Sequence, residues 1–509
     1  MILLAAVAFV PATPVSVLHA QTSAGPTFVP AACPFRIPDG FTESVNLRCG
    51  YVDVPLERGQ GNGPTVRLIV AVLPATAQPT STPPLMYVAG GPGGGGIEEG
   101  LGIVEGLSGR LPGLDRDLVL VDMRGTGNSQ PSLACPEIND AQDQNVMQGQ
   151  SLDDLVQRET AGAQACRARL QGEGIDLSAF TSVASAADLN DVRQALGYNQ
   201  INLWGISYGS RIVLQYLHDF PNTVRSAVID GVVPPQADLM AGQLPDAQRA
   251  LDALFADCAN DSACDSTYPE LKSRFWALID RLNANPPSVR VHGPNENSVR
   301  IPFTGNAMLN FTFNLLYDSQ AITLLPAIID SVDGGDYTPV TAVAGDVFFA
   351  HDVNLGTYLS IECSDYTAYS SPAAVTAAAA GLQPELASSV LRPDDVFSMC
   401  SVWGVPATPT QNRTPVSSNV PVLVLNGELD PITPPAYGQM AAASLPNSFL
   451  YTFPGGGHGQ GPSACGYTLI ETFLSDPATQ PTARPPAQGC FEALHPQFDT
   501  SLGSGGASP

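Results

Sequence analysis

Cationic side chains are scarce in this chain. Lys and Arg total 22 against 48 Asp and Glu in 509 residues, a formal net charge of −26 at pH 7, and Lys272 is the single lysine. A surface that grips phosphate needs clustered Lys and Arg, so nucleic acid and anionic membranes are excluded as partners. The acidic residues are spread along the chain rather than gathered in a tail, which reads as a solvated acidic surface. Also missing are a CxxC pair and a Cys/His cluster with zinc spacing, so no metal is expected. The glycine run "AGGPGGGG" (89–96) is not followed by GK[ST], which argues against a nucleotide cradle and leaves no cofactor to expect. No apolar stretch reaches transmembrane length; "ILLAAVAFV" at residues 2–10 is too short to stay as a spanning helix.

What is present is a globular composition, 44% hydrophobic and 14% charged, in a chain long enough for a large core plus an insertion. Ten cysteines are many for a reduced cytosolic enzyme. They fall into neighbours along the sequence: Cys33 and Cys49, Cys135 and Cys166, Cys258 and Cys264, Cys363 and Cys400, Cys465 and Cys490. This spacing is consistent with five local disulfides in an oxidising compartment, although spacing does not dictate connectivity. The apolar N-terminus followed by small residues near Ala20 reads as a signal peptide over 1–20, without the usual basic flank since no Lys or Arg precedes Arg36. A secreted or periplasmic protein, not inserted in a membrane, is the expectation.

Along the chain, "LRCGYVDVPL" and "TVRLIVAVLP" read as opening antiparallel strands. "PLMYV", "DLVLVDM", "INLWG" and "RSAVID" are buried strands separated by helical stretches, including the amphipathic "SAADLNDVRQALG" (185–197). That alternation predicts an α/β fold with a mostly parallel sheet. Between 236 and 415 the pattern turns helical without intervening buried strands, and strand character returns in "VPVLVLNGELD" and "SFLYTF". A core domain over 30–235 and 416–475, an inserted and mainly helical cap over 236–415, and a C-terminal extension over 476–509 ending in a polar tail follow from this reading.

"LWGISYGS" (203–210) places Ser207 between two glycines, after a buried strand and before the helical run "SRIVLQYLHDF" that stops at Pro221. A sharp strand-to-helix elbow needs such glycines, and its serine is exposed as a nucleophile. A serine hydroxyl requires a general base, and that base an acid. Of six histidines, His19 lies in the signal region, His218 behind the elbow, His292 and His351 in the helical block, and His495 beyond the last core element. His458, in the glycine-rich "FPGGGHGQG" after a strand, is left as the candidate base. Asp430, ending "VLVLNGELD" 28 residues earlier, is the candidate acid, in the chain order Ser, Asp, His. Asp230 is the rival in the right order; Asp122 precedes the elbow and has Arg124 nearby as a structural partner. For an oxyanion, Tyr208 supplies one backbone N–H and the loop after "PLMYV" the other. Pro92 has none, so Gly91 comes first and Gly90 next.

The motifs "GGPGGGG", "DMRGTGNS", "GISYGS", "NGELDPITPP" and "GGGHG", in this order, resemble those of prolyl and tripeptidyl aminopeptidases of the α/β-hydrolase superfamily. "IECSDY…CSVW" and "CGYTLIETFL" look like the C-terminal region of secreted tripeptidyl aminopeptidases, and the likeness runs from about residue 45 to 490. Ala89 stands where the prolyl enzymes have His before the glycine turn, which places the chain nearer the tripeptidyl branch. The resemblance implies an α/β-hydrolase fold and a serine exopeptidase acting on peptide N-termini. An esterase or amide hydrolase using the same triad is the alternative, and a non-enzymatic binding protein on this scaffold the third. An exopeptidase that admits only free N-termini needs a carboxylate at fixed distance from Ser207. Glu362 and Asp365, beside Cys363, are the expected pair, with Glu98 and Glu99 as rivals. The sequence does not indicate an oligomeric state.

Overall fold

The computed structural model describes residues 25–58, 63–76, 81–107, 115–149, 151–293, 297–481 and 497–501. The expected signal peptide, His19, Cys490, His495 and the polar tail from 502 lie outside the described residues. Eleven strands are described: β1 (Phe28–Pro30), β2 (Arg48–Pro55), β3 (Thr65–Leu73), β4 (Leu85–Val88), β5 (Leu118–Val121), β6 (Ile201–Ile206), β7 (Val224–Asp230), β8 (Ser288–His292), β9 (Ser298–Pro302), β10 (Val422–Gly427) and β11 (Ser448–Phe453). Nine form one sheet in the order β1-β2-β3-β5-β4-β6-β7-β10-β11. The three pairings at the β1 edge are antiparallel, and all pairings from β5 to β11 are parallel.

Helices cover both faces: α1 (Gly96–Gly106), α2 (Pro136–Gln148), α3 (Leu152–Gly172), α4 (Ser182–Ala195), α5 (Tyr208–Asp219) and α6 (Leu239–Asn260) come first. Side chains alternate across each strand, so one strand feeds two cores. Met86, Leu203, Ile229 and Val424 pack with Leu170, Leu189 and Ile212 of α3, α4 and α5. Tyr87, Trp204, Val228 and Leu425 face the other way, onto Leu101 of α1 and Phe473 of the helix Ala464–Ser475. Burial on both faces is why these strands read as unbroken apolar runs.

Two features differ from the reading of the sequence. The helical block contains an antiparallel hairpin, β8 with β9, that buries Val289, Val291 and Ile301. Five-residue strands bearing exposed Arg290 and Arg300 carry too few apolar positions to announce themselves. The block also packs in two ways. Its first part, from α6 to the helix Thr338–Phe348, forms a core of its own around Phe275, Ile279, Phe311 and Ile329. The later helices Leu355–Ile361 and Asp394–Trp403 instead join the sheet's core through Leu359, Met399 and the fully buried Trp403.

Among the described residues, four disulfides join Cys33–Cys49, Cys135–Cys166, Cys258–Cys264 and Cys363–Cys400, each between sequence neighbours. No described cysteine is free. Among the described residues no helix is long and apolar enough to cross a membrane.

Candidate active site

β6 is buried along its whole length and delivers Ser207 at its carboxyl end, where α5 begins. Ser207 sits at φ 56°, ψ −127°, a backbone state that a non-glycine residue holds only when its surroundings impose it. The surroundings do so: the Ser207 N–H donates to the Asp230 carbonyl (2.8 Å), and Ser210 Oγ donates to the Ser207 carbonyl (2.6 Å). Both flanking glycines are sterically required. A Cβ on Gly205 would lie 2.3 Å from the Gly209 carbonyl oxygen, and one on Gly209 would lie 2.1 Å from that of Val88. The second clash is with strand β4, not with the following helix.

Asp430, fully buried, follows β10. Its Oδ1 accepts the N–H groups of Ile432 (3.0 Å) and Thr433 (2.8 Å), and its Oδ2 accepts Thr433 Oγ1 (2.5 Å). The same Oδ2 lies 2.8 Å from His458 Nδ1, so the imidazole is oriented with Nε2 free to take a proton. Thr433 Oγ1 also lies 3.0 Å from His458 Nδ1. Burial alone would lower the His458 pKa. The Asp430 charge and hydrogen bond, with Asp230 and Glu99 behind them, outweigh it and leave the pKa above the ordinary 6.5. Tyr317 completes the setting: its ring packs 4.8 Å from the imidazole and its carbonyl accepts the His458 N–H at 2.9 Å. From the helical block, Arg249 of α6 donates to the carbonyls of Glu428 (2.5 Å) and Asp430.

The rival acids hold loops instead. Asp230 accepts the N–H groups of Gln460 (2.8 Å) and Gly461 (2.6 Å), which pins the chain just beyond His458. Since its carbonyl also holds Ser207, one residue ties the serine and histidine segments to the end of β7. Asp122 accepts Ile97 N–H (2.9 Å) and Asn128 N–H (2.8 Å). Arg124 does not pair with Asp122, contrary to the expectation from sequence. It reaches across to Asp188 of α4, with both bonds at 2.7 Å, because Asp188 presents the buried carboxylate on that side.

Among the remaining histidines, His218 pairs with Asp219 at the exposed end of α5, and His351 lies 3.1 Å from Asp143.

Gly90 approaches the serine most closely: a Cβ there would lie 3.1 Å from Ser207 Cβ and 3.6 Å from Oγ. Its N–H points to Glu99 Oε2 at 3.4 Å, so Gly90 is poorly placed as an oxyanion donor. Gly91 follows at φ 107°, a conformation that glycine adopts without strain.

Glu362 and Asp365 lie in a π-helical turn, Glu362–Tyr366, continuing the helix Leu355–Ile361. Such single-turn bulges are frequent at functional sites. Asp365 accepts Ser182 Oγ, which in turn lies 2.9 Å from the Tyr208 hydroxyl. Glu362 is 5% exposed, and its Oε2 has no hydrogen-bond partner. Burial first, and then the Asp365 charge, push its carboxyl up to about 8. The Tyr366 hydroxyl of the same turn is likewise buried without a partner. Of the rivals, Glu98 is exposed, whereas Glu99 receives the Tyr87 hydroxyl at 2.5 Å.

Sequence reasoning passed over Thr433, Tyr317 and Arg249. The Asp-x-x-Thr spacing of "DPIT" was a usable turn signal; Tyr317 and Arg249 arrive from the helical block and carried none.

Comparison with known proteins gives two family matches: the alpha/beta hydrolase fold model over residues 83–294 and a TAP-like protein model over residues 390–484. The serine protease Hip1 of Mycobacterium tuberculosis is 28% identical over 433 residues, 81% of each chain. A carboxylesterase B of the same organism is 28% identical over 438 residues, 82% of this chain and 81% of its own. The tripeptidyl aminopeptidase of Streptomyces lividans is 31% identical over 265 residues, 49% of this chain and 48% of its own.

Proposed function

The chain belongs to the α/β-hydrolase superfamily as a serine hydrolase, and from that premise we propose that it is an exported exopeptidase that cleaves peptides near free N-termini. Ser207 Oγ attacks the scissile carbonyl while His458 Nε2 takes its proton. Asp430 holds the imidazole and stabilises the imidazolium. The N–H groups of Gly91 and Tyr208 receive the oxyanion, and His458 returns the proton to the leaving amine. Water, deprotonated by the same histidine, then releases the acyl group. The disulfides support export.

The observation that carries the exopeptidase reading is the unpartnered, buried Glu362 Oε2, in the same turn as Asp365, which accepts the Ser182 hydroxyl beside Tyr208. A buried carboxyl lacking a partner is costly, and an ammonium supplies what it lacks. With its carboxyl at about 8, Glu362 is protonated in the free enzyme at neutral pH; an incoming ammonium favours the carboxylate and the proton leaves. KM for free-amine peptides is therefore expected to fall as pH rises from 6 toward 8. Glu362→Gln removes that dependence and raises KM at the upper end by the equivalent of about 1.5–3 kcal/mol, leaving N-acetylated substrates unaffected. Equal effects on both substrates would exclude Glu362 from the amine site and leave Asp365 to be tested. A peptide-library digest read by mass spectrometry tests the proposal as a whole, with products cut a fixed short distance from the N-terminus as the expected outcome.

The carboxylesterase B relative favours a second reading, an esterase with the same triad. Hydrolysis of acyl esters with no peptide cleavage in that digest would establish it.

His458 sets the acid limb. Its raised pKa keeps it protonated, and useless as a base, to higher pH than a free imidazole. Activity is expected to decline with falling pH from a midpoint above 6.5. A midpoint below that value would contradict the arrangement around His458.

A further inference from the structure

We propose that Glu99 is a positioning residue for the reaction: its carboxylate clamps the oxyanion loop from behind and adds a negative charge to those of Asp430 and Asp230 around His458. The inference rests on the reading of Ser207 and His458 as nucleophile and base.

Glu99 stands in the first turn of α1, immediately after the glycine run. Its two oxygens have different partners. Oε1 accepts the hydroxyl of Tyr87, a buried side chain of β4 braced edge-on against Trp204 at 5.4 Å. Oε2 accepts the N–H of Gly90, the residue whose Cα lies against Ser207. The carboxylate thus links the rigid sheet to the loop that must present an N–H to the oxyanion. Because Gly90 N–H is turned toward Glu99, the next peptide is the one available to face the substrate, and Gly91 carries it. The loop is confined on its other side as well. Gly94 N–H donates to the Gly90 carbonyl (3.4 Å), Asn354 N–H donates to the Gly93 carbonyl (3.0 Å), and a Cβ on Gly93 would lie 2.8 Å from the Asn354 carbonyl. A donor held in advance costs no reorganisation when the charge develops.

The second part of the role is electrostatic. The charged groups facing His458 are Asp430 at hydrogen-bond distance, Asp230 from β7 and Glu99 from α1; Tyr317, against the ring, is neutral. Around Glu99 stand the Tyr87 hydroxyl, the Gly90 N–H and His458 itself. Burial raises the Glu99 pKa, and the hydrogen bonds from Tyr87 and Gly90 oppose that rise. An ionised Glu99 favours the imidazolium that forms as Ser207 gives up its proton.

Two variants of the full chain separate the clamp from the charge. Glu99→Gln is expected to lower kcat on the order of 10²-fold with KM unchanged, as loop misplacement does. It should also move the acid limb of kcat/KM to lower pH, because a negative charge near His458 is gone. Tyr87→Phe loosens the clamp but keeps the charge, so kcat falls while the limb stays in place. Glu99→Gln with kcat within about twofold of wild type overturns the proposal. A kcat loss with an unmoved limb reduces Glu99 to structural support. A KM increase confined to free-amine substrates makes it an amine ligand instead. If Glu99→Gln does not fold, an unchanged kcat in Tyr87→Phe overturns the clamp. Should Ser207→Ala retain activity, the underlying reading fails rather than this one.

Discussion

Replacing Ser207 by alanine is expected to abolish turnover, by on the order of 10⁴-fold or more in kcat, while leaving the fold unchanged. The activity loss follows because no other hydroxyl at the elbow can substitute. Ser210 Oγ donates to the Ser207 carbonyl and accepts Val233 N–H at 2.8 Å, so it is committed to holding the turn. The fold survives because the elbow is set by backbone contacts. Gly205 and Gly209 permit the close crossing, and the Ser207 N–H is held by Asp230; alanine disturbs neither. The thermal midpoint should therefore match wild type or rise slightly, since a strained functional residue is often not optimal for stability. Retention of more than a few per cent of activity by the folded variant would show the nucleophile to lie elsewhere.

The second large effect separates two buried aspartates. Asp430→Asn should lower kcat by about 10⁴-fold. The asparagine amide would turn a donor toward His458 Nδ1 or lose the bond altogether, so the tautomer with a basic Nε2 is no longer favoured. Asp230→Asn should cost at least tenfold less in kcat and more in stability, because Asp230 receives two backbone N–H groups rather than an imidazole. Its carboxyl, pushed up to about 6 by burial and pulled back by the Gln460 and Gly461 N–H groups, serves the loop's geometry. The reverse ranking would move the acid to the end of β7.

Much of this arrangement was legible in the sequence, for a local reason. The sharp turn around Ser207 is specified within eight residues, since only glycine fits beside the Gly209 and Val88 carbonyls. Asp430 and His458 announce themselves because each follows an apolar strand in a short turn-rich segment, and the sheet then carries the two to 2.8 Å. The disulfides pair neighbours, so spacing was informative for them as well. What stayed hidden depends on long-range packing. The Arg124–Asp188 pair spans 64 residues, and no local pattern distinguishes it from the nearer Asp122. Tyr317 and Arg249 reach the site from the helical block, whose docking the sequence does not encode at short range. β1 has three residues, fewer than an alternating pattern needs to register. Glu99 was visible only as an acid near the glycine loop; its tie to both Tyr87 and Gly90 appears once β4 and α1 are packed together.

An exopeptidase of the proposed kind hydrolyses peptides by reading a free N-terminus next to Ser207. The most direct test of that reading is kcat/KM for one tripeptide anilide with a free α-amine against its N-acetylated twin, measured near pH 8 on the folded full chain. The free amine should be preferred by roughly one to two orders of magnitude, the worth of one charged hydrogen bond at Glu362. Equal rates on the two substrates, or faster cleavage of the acetylated one, would contradict it.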